Sequence, residues 1–213
     1  MIVIWRRRFV GILLASLLLL SLFHLIRESR WFARWLYPIK YRTEIFHCSV
    51  EHNIDPFLIS AIINVESRFY PLARSPRGAR GLMQIMPETG LWVAQILEFE
   101  KFSPDTLYDP LVNIRIGSWY LSSLQREFNG ELTVALAAYN AGHGIVREWL
   151  DKGIWDGTEE KLDNIPYQET RKYVRRVLYT YRIYRWAYRG AWENTASPGY
   201  AHIALFSGFL HSP

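Results

Sequence analysis

The stretch DPFLISAIINVE, Asp55 to Glu66, decides the fold. Asp55 suits an N-cap, and Pro56 suits the first helical position, where a missing N–H costs no intrahelical bond. Phe57, Leu58, Ile59, Ala61, Ile62, Ile63 and Val65 then fall on nearly every side of one helix, so this helix is central and buried. It ends on a carboxylate. Desolvation at that position favours the neutral acid, and the dipole at a helix C-terminus pushes the same way. A carboxyl still protonated near neutral pH is what a general acid needs to protonate a leaving oxygen. The plainer reading stands beside it: Glu66 faces solvent or pairs with Arg68.

Outward from this helix the pattern stays helical. Residues 43–53 read as a short helix. Residues 67–80 read as a loop with Pro71, Pro76 and Gly78, and Gly81 to Met86 is a short apolar run. Pro87 starts a helix to about Leu97. Asp109-Pro110 repeats the earlier opening and begins a helix to Phe128, closed by Asn129-Gly130. Leu132 to Asn140, Ile145 to Leu150 and a long Gln168 to Tyr188 segment complete the set. No stretch shows sustained period-two alternation, so the expected fold is mainly α. In the last helix Val174, Val177, Leu178, Tyr181 and Tyr188 fall at helical spacing. The interleaved arginines are therefore its solvated side rather than a nucleic-acid face.

The chain has 213 residues with 25 Lys+Arg against 20 Asp+Glu. A formal charge of +5 invites a nucleic-acid reading, but residues 1–42 hold eight basic residues and one acid, leaving 17 basic and 19 acidic in the rest. The basicity belongs to the N-terminal fifth, and no nucleic-acid partner is expected. Half the residues are hydrophobic and 15% aromatic, which excludes a disordered or fibrous chain. The 171 residues after position 42 suffice for one domain with a core.

Phe9 to Ile26 is an 18-residue stretch with 14 apolar residues, about 27 Å of helix, close to a hydrocarbon core. No small-x-small cleavage pattern follows Phe23, so the reading is an uncleaved transmembrane anchor rather than a signal peptide. Arg6 to Arg8 favour an N-terminus inside, while Arg27, Arg30, Arg34, Lys40 and Arg42 argue weakly the other way. Trp31, Phe32, Trp35, Leu36 and Tyr37 interleave with those charges in the manner of an interfacial belt. The expected organisation is an anchor and juxtamembrane segment over 1–42, a catalytic domain over 43–189, and a tail of unknown role over 190–213. Cys48 is the one cysteine, so no intrachain disulfide forms. Cys48 and His52 are four apart with His47 adjacent, but no second cluster completes four ligands. This is read as a half-buried helix face, and no metal or cofactor is expected.

Three further motifs carry polar groups in apolar surroundings. Ser75 to Pro87 holds two glycines three apart, suited to close backbone approach, and Gln84, an amide that needs a partner from ligand or backbone. It lacks the Lys-Ser/Thr of a nucleotide loop. Ala137 to Gly142 ends a helix on Tyr139 and Asn140, either a cap or a hydroxyl and an amide presented to a cleft. In the segment opening at Ile165-Pro166, Glu169 lies in a first helical turn, where an acid suits the dipole.

Together and in this order, Glu66-Ser67-Arg68-Phe69, the Gly-Leu-Met-Gln-Ile-Met-Pro run, Ala-Tyr-Asn-Ala-Gly and Ile-Pro…Glu-Thr-Arg-x-Tyr-Val resemble the lytic transglycosylases of the soluble (SLT) type, over about residues 50–185. The resemblance implies a lysozyme-like helical domain with a cleft for peptidoglycan glycan strands. It implies cleavage of the β-1,4 bond between N-acetylmuramic acid and N-acetylglucosamine, leaving a 1,6-anhydromuramic end, with Glu66 as the single acid/base. By the same likeness Ser75, Gln84 and Met86 border sugar subsites. Tyr139 and Asn140 face the acid and the N-acetyl group, Glu169 contacts sugar, and Tyr173 supports Tyr139 or Glu169. Arg77 and Arg80 are basic where the motif varies, suited to peptide carboxylates or simply solvated. Ordinary glycosidases need two carboxylates, and none follows Glu66 before Glu88. Two alternatives remain: a hydrolase on the same fold, of goose-type lysozyme activity, and a non-catalytic peptidoglycan-binding module. The expected location is a single-pass membrane protein with its catalytic domain on the extracytoplasmic side, protein partners unknown.

Overall fold

The computed structural model describes residues 12–14, 16–21, 25 and 29–192. From residue 30 its helices are α1 (Arg30–Leu36), α2 (Arg42–His52), α3 (Pro56–Ser67), α4 (Pro87–Ile96), α5 (Pro110–Glu127), α6 (Leu132–Ala141), α7 (His143–Asp151) and α8 (Gln168–Ala187). Single 3-10 turns cover Pro104–Tyr108 and Leu162–Asn164. Among the described residues the extended pairing is limited to two isolated bridges, Arg74 to Arg80 and Arg80 to Ile85, so the fold is mainly helical.

The apolar run that opened the reading is the central helix. Every residue of α3 from Leu58 to Ile63 is buried. Asp55 caps it, with Oδ1 accepting the Phe57 N–H at 2.8 Å. Its Oδ2 accepts the Tyr181 hydroxyl at 2.6 Å, so one side chain both starts α3 and ties it to α8. The length of α3 packs on α8, whose inward face is Tyr173, Val174, Val177, Leu178 and Tyr184. Arg175, Arg176, Arg182 and Arg185 stay on the outer face, as the spacing predicts. Ile114, Ile116, Leu121 and Leu124 of α5 and Val134 to Ala138 of α6 close the same core.

The stretch before residue 43 was legible as basic and aromatic; its helix was not. There α1 docks on the far end of α8. Arg34 Nε donates to the Ala187 carbonyl at 2.7 Å, and the Tyr188 hydroxyl donates to the Tyr37 carbonyl at 3.0 Å. Ala33 and Ile39 join the core, so packing continues upstream of residue 43. Trp31 and Trp35 point outward, 74% and 67% exposed. In the apolar stretch at 9–26, residues 12–14, 16–21 and 25 are helical and exposed. The rest of that stretch, and residues 193–213 of the tail, lie outside the described residues. Among the described residues no helix is long and apolar enough to cross a membrane.

Candidate active site

Glu66 sits in the last turn of α3, where the buried helix meets a tightly folded loop. The chain turns away at once. Arg68 and Phe69 both adopt left-handed backbone, φ 52° and 62°, a conformation costly for residues with a Cβ and held here by surrounding structure. Phe69 is buried. The Ser67 hydroxyl lies 2.7 Å from the Leu82 carbonyl and pins the incoming loop to the end of α3.

The loop from Ala73 to Pro87 is organised by three side chains. Asn113 of α5, fully buried, accepts the Met83 N–H at 2.7 Å and donates to the carbonyls of Arg80 (2.9 Å) and Leu107 (2.8 Å). Gln84 donates to the carbonyls of Ala73 (3.1 Å) and Gly81 (2.9 Å). Ser75 Oγ accepts the Ala79 N–H at 3.0 Å. Gly81 (φ 78°) packs so tightly here that a Cβ would lie 2.2 Å from Asn113 Nδ2 and from the Leu107 carbonyl. The glycine is required by close approach as well as by backbone conformation.

Three groups meet around Glu66. Burial pushes its carboxyl up to about 7, and nearby Glu169 pushes the same way. The Tyr173 hydroxyl and the Arg176 guanidinium offset part of that rise. Glu66 is therefore substantially protonated near neutral pH, the state of a general acid. Burial and the Glu66 charge hold the hydroxyls of Tyr139 and Tyr173 well above the usual tyrosine range, so both remain donors. Tyr139 donates to the Met83 carbonyl at 2.9 Å and packs on Tyr120, ring centroids 5.5 Å apart. Loop, α6 and α8 are thus joined through the neighbourhood of one carboxyl.

The remaining residues named from sequence fall as follows. The Thr170 hydroxyl donates to Asn140 Oδ1 at 2.8 Å, which leaves the amide N–H groups of Asn140 to point elsewhere. Glu169, one residue earlier, is exposed and lies 3.6 Å from Arg77 Nη2. Met86 is exposed at the start of α4. The buried Tyr173 hydroxyl lies near both Glu66 and Tyr139 and has no hydrogen-bond partner within ordinary bonding distance. The polar groups of Ser75 and the donors of Gln84 are spent on loop backbone. Arg80 pairs with Asp105 and lies over the Tyr108 ring at 5.6 Å, so it is structural. Sequence reasoning missed Asn113, although it shares a helical stripe with the buried Ile116, Gly117, Leu121 and Leu124. A polar residue on an apolar stripe was the available signal.

Comparison with known proteins agrees with this geometry. The family described as "Transglycosylase SLT domain" matches residues 45–161. The soluble lytic murein transglycosylase of Escherichia coli K12 is 37% identical over 153 residues, covering 70% of this chain and 24% of that protein. The membrane-bound lytic murein transglycosylase C of Photorhabdus laumondii is 30% identical over 184 residues, covering 76% of this chain and 47% of that one. The crystal structure of the 70 kDa soluble lytic transglycosylase from Escherichia coli superposes with a TM-score of 0.68 at 34% identity, covering 73% of this chain and 25% of that one. An inactive glutamate-to-glutamine mutant of lytic transglycosylase Slt from Pseudomonas aeruginosa superposes with a TM-score of 0.64 at 37% identity, covering 70% of this chain and 24% of that one. This chain thus spans about a quarter of the length of the soluble relatives it matches. On the family match and on the shared helical fold, the chain belongs to the transglycosylase SLT domain family.

Proposed function

We propose that the protein is a peptidoglycan lytic transglycosylase in which Glu66 serves as the single general acid/base. The observation that carries this is one carboxyl, held neutral by burial at the end of a rigid helix, with a tyrosine hydroxyl beside it. Glu66 protonates the glycosidic oxygen as the bond to C1 of N-acetylmuramic acid breaks. The resulting carboxylate accepts the donated hydrogen bond of Tyr173, then removes the proton of the muramic C6 hydroxyl as that oxygen attacks C1. Glu66 ends protonated, the product is a 1,6-anhydro sugar, and no water is consumed. An internal nucleophile removes the need for the second carboxylate of ordinary glycosidases. The amide N–H groups of Asn140, oriented by Thr170, suit the N-acetyl carbonyl. Met86, Tyr139 and Glu169 line the sugar path, while Ser75 and Gln84 shape it through the loop backbone.

Hydrolysis is the second reading, favoured by one observation: Glu169 is close enough to raise the Glu66 carboxyl and is a carboxylate. Its side chain is exposed and faces Arg77, a poor setting for a group that must activate one water.

The chain also carries its own route to a membrane. The apolar stretch at 9–26, the exposed Trp31 and Trp35 on a docked α1, and a membrane-bound relative all support anchoring, with the catalytic domain outside the cytoplasm. The domain limits proposed are 1–42, 43–189 and 190–213, with α1 packed against the catalytic unit. Digestion of purified sacculi tests the catalytic assignment. Glu66→Gln keeps the shape and removes the acid, so sacculus-clearing activity falls by about 100-fold or more while glycan strands still bind. Retention of the full rate by that variant refutes it.

A further inference from the structure

The C-terminal half of α2 brings three metal-ligating side chains together, with a buried histidine beside them. Residues 47 and 51, and residues 48 and 52, are each four apart and therefore neighbours on a helix. His47, Cys48 and Glu51 each present one ligand atom, and all three lie within 4.8 Å of one another. Some point is then within about 2.8 Å of all three, roughly half an ångström beyond ordinary zinc–ligand bonds. His47 Nδ1 lies 3.7 Å from Glu51 Oε2, and His52 Nε2 lies 3.9 Å from Glu51 Oε1.

Two facts separate this cluster from an ordinary helix face. The side chain of His52 is only 7% exposed, and its Nε2 is buried with no hydrogen-bond partner. His47 Nδ1 is likewise buried and unpartnered. Both nitrogens lie beside the Glu51 carboxylate, beyond hydrogen-bond reach at 3.7 and 3.9 Å, and orphaned buried polar atoms are costly. The second fact is that Glu51 is already oriented. Arg115 of α5 donates to its Oε1 through Nε at 2.9 Å and Nη2 at 2.8 Å, which leaves Oε2 turned toward His47. A carboxylate held by an outer partner with one oxygen free is the usual arrangement around a ligated metal.

The geometry points to a divalent-metal site of the zinc class, formed by His47 Nδ1, Cys48 Sγ and Glu51 Oε2, with the buried His52 ring beside the same carboxylate. Imidazole, thiolate and carboxylate together select a borderline-soft ion over calcium or magnesium. Cys48 would bind as its thiolate, its proton passing to solvent. The path for the ion is open, because the His47 side chain is 37% exposed. The site lies on α2, apart from Glu66, and would clamp the last turn of α2 beside α5.

The test is a cobalt(II) titration of the full-length protein in detergent after dialysis against a chelator, followed by competition with zinc. One equivalent of cobalt is expected to give a thiolate charge-transfer band and intense tetrahedral d–d bands, both erased by zinc. Cys48→Ser removes the charge-transfer band. His47→Gln weakens binding by at least about tenfold, the lower end of what loss of even an outer-shell partner costs. His47→Gln is at an accessible position, so it carries the test even if Cys48→Ser fails to fold. Absence of a charge-transfer band, or cobalt binding that needs Cys48 but is unchanged in His47→Gln, overturns the site.

Discussion

Glu66→Gln should make the protein more stable, by an amount that grows from nothing near pH 4 to its full size near pH 8. A carboxyl raised from 4.5 to about 7 by burial binds its proton more tightly in the folded state than in the unfolded chain. Below pH 4.5 both states are protonated and the residue contributes nothing. Between 4.5 and 7 the unfolded chain releases the proton while the folded protein keeps it, so stability falls as pH rises. Above 7 the cost is complete, about 3 kcal/mol for a half-buried group with this displacement. Glutamine has nearly the same shape, carries no charge, and its carbonyl can accept from Tyr173. The variant should therefore gain about 3 kcal/mol near pH 8, or about 6–12 °C in Tm for a chain of this size, and gain nothing near pH 4. Thermal unfolding of the full-length protein in detergent across that range measures it. A gain of equal size at both ends, or none at pH 8, refutes the assignment of Glu66 as a desolvated acid.

Other perturbations separate the parts of the site. Tyr173→Phe removes a group that lowers the Glu66 carboxyl, and Glu169→Gln removes one that raises it. The alkaline limb of the kcat/KM profile should move up in the first and down in the second, read from sacculus digestion across pH. Asn113→Ala leaves the Met83 N–H and two loop carbonyls unpaired, which should cost about 2–4 kcal/mol by denaturant titration. Activity should fall with it, because Tyr139 hangs from the Met83 carbonyl. In a variant lacking residues 1–28, replacing Trp31 and Trp35 by serine should lower the partition coefficient onto anionic vesicles, read by sedimentation, by about 30-fold, since each indole contributes about 1 kcal/mol at the interface.

The sequence revealed most where the physics is local. Asp55-Pro56 and Asp109-Pro110 marked helix starts because capping needs only a side chain and the next turn, and both aspartates do cap in the structure. Glu66 stood out because a carboxylate in an apolar helix must be either desolvated or turned to solvent, and the burial that raises its carboxyl shows it to be desolvated. Its partner could not be read: Tyr173 is 107 positions along the chain, and only the packing of α3 on α8 brings it close. Gln84 drew attention as a polar residue in an apolar run, and its donors prove to serve backbone within the same loop. Asn113, the stronger organiser of that loop, bonds residues 33 and 30 positions away, and its place on an apolar stripe marks it as buried without naming those partners. Helix α1 was hidden for another reason: alternating arginine and tryptophan obscure periodicity, and its docking depends on Tyr188 and Ala187 at the opposite end of the chain.

The most direct test of the central claim is the mass of the products released from purified sacculi by the full-length protein. If Glu66 works alone with the muramic C6 hydroxyl as nucleophile, the fragments end in 1,6-anhydromuramic acid and are lighter by one water than hydrolytic products. Fragments ending instead in reducing N-acetylmuramic acid, each with the mass of that water added, contradict the single-carboxyl mechanism and transfer the second role to Glu169.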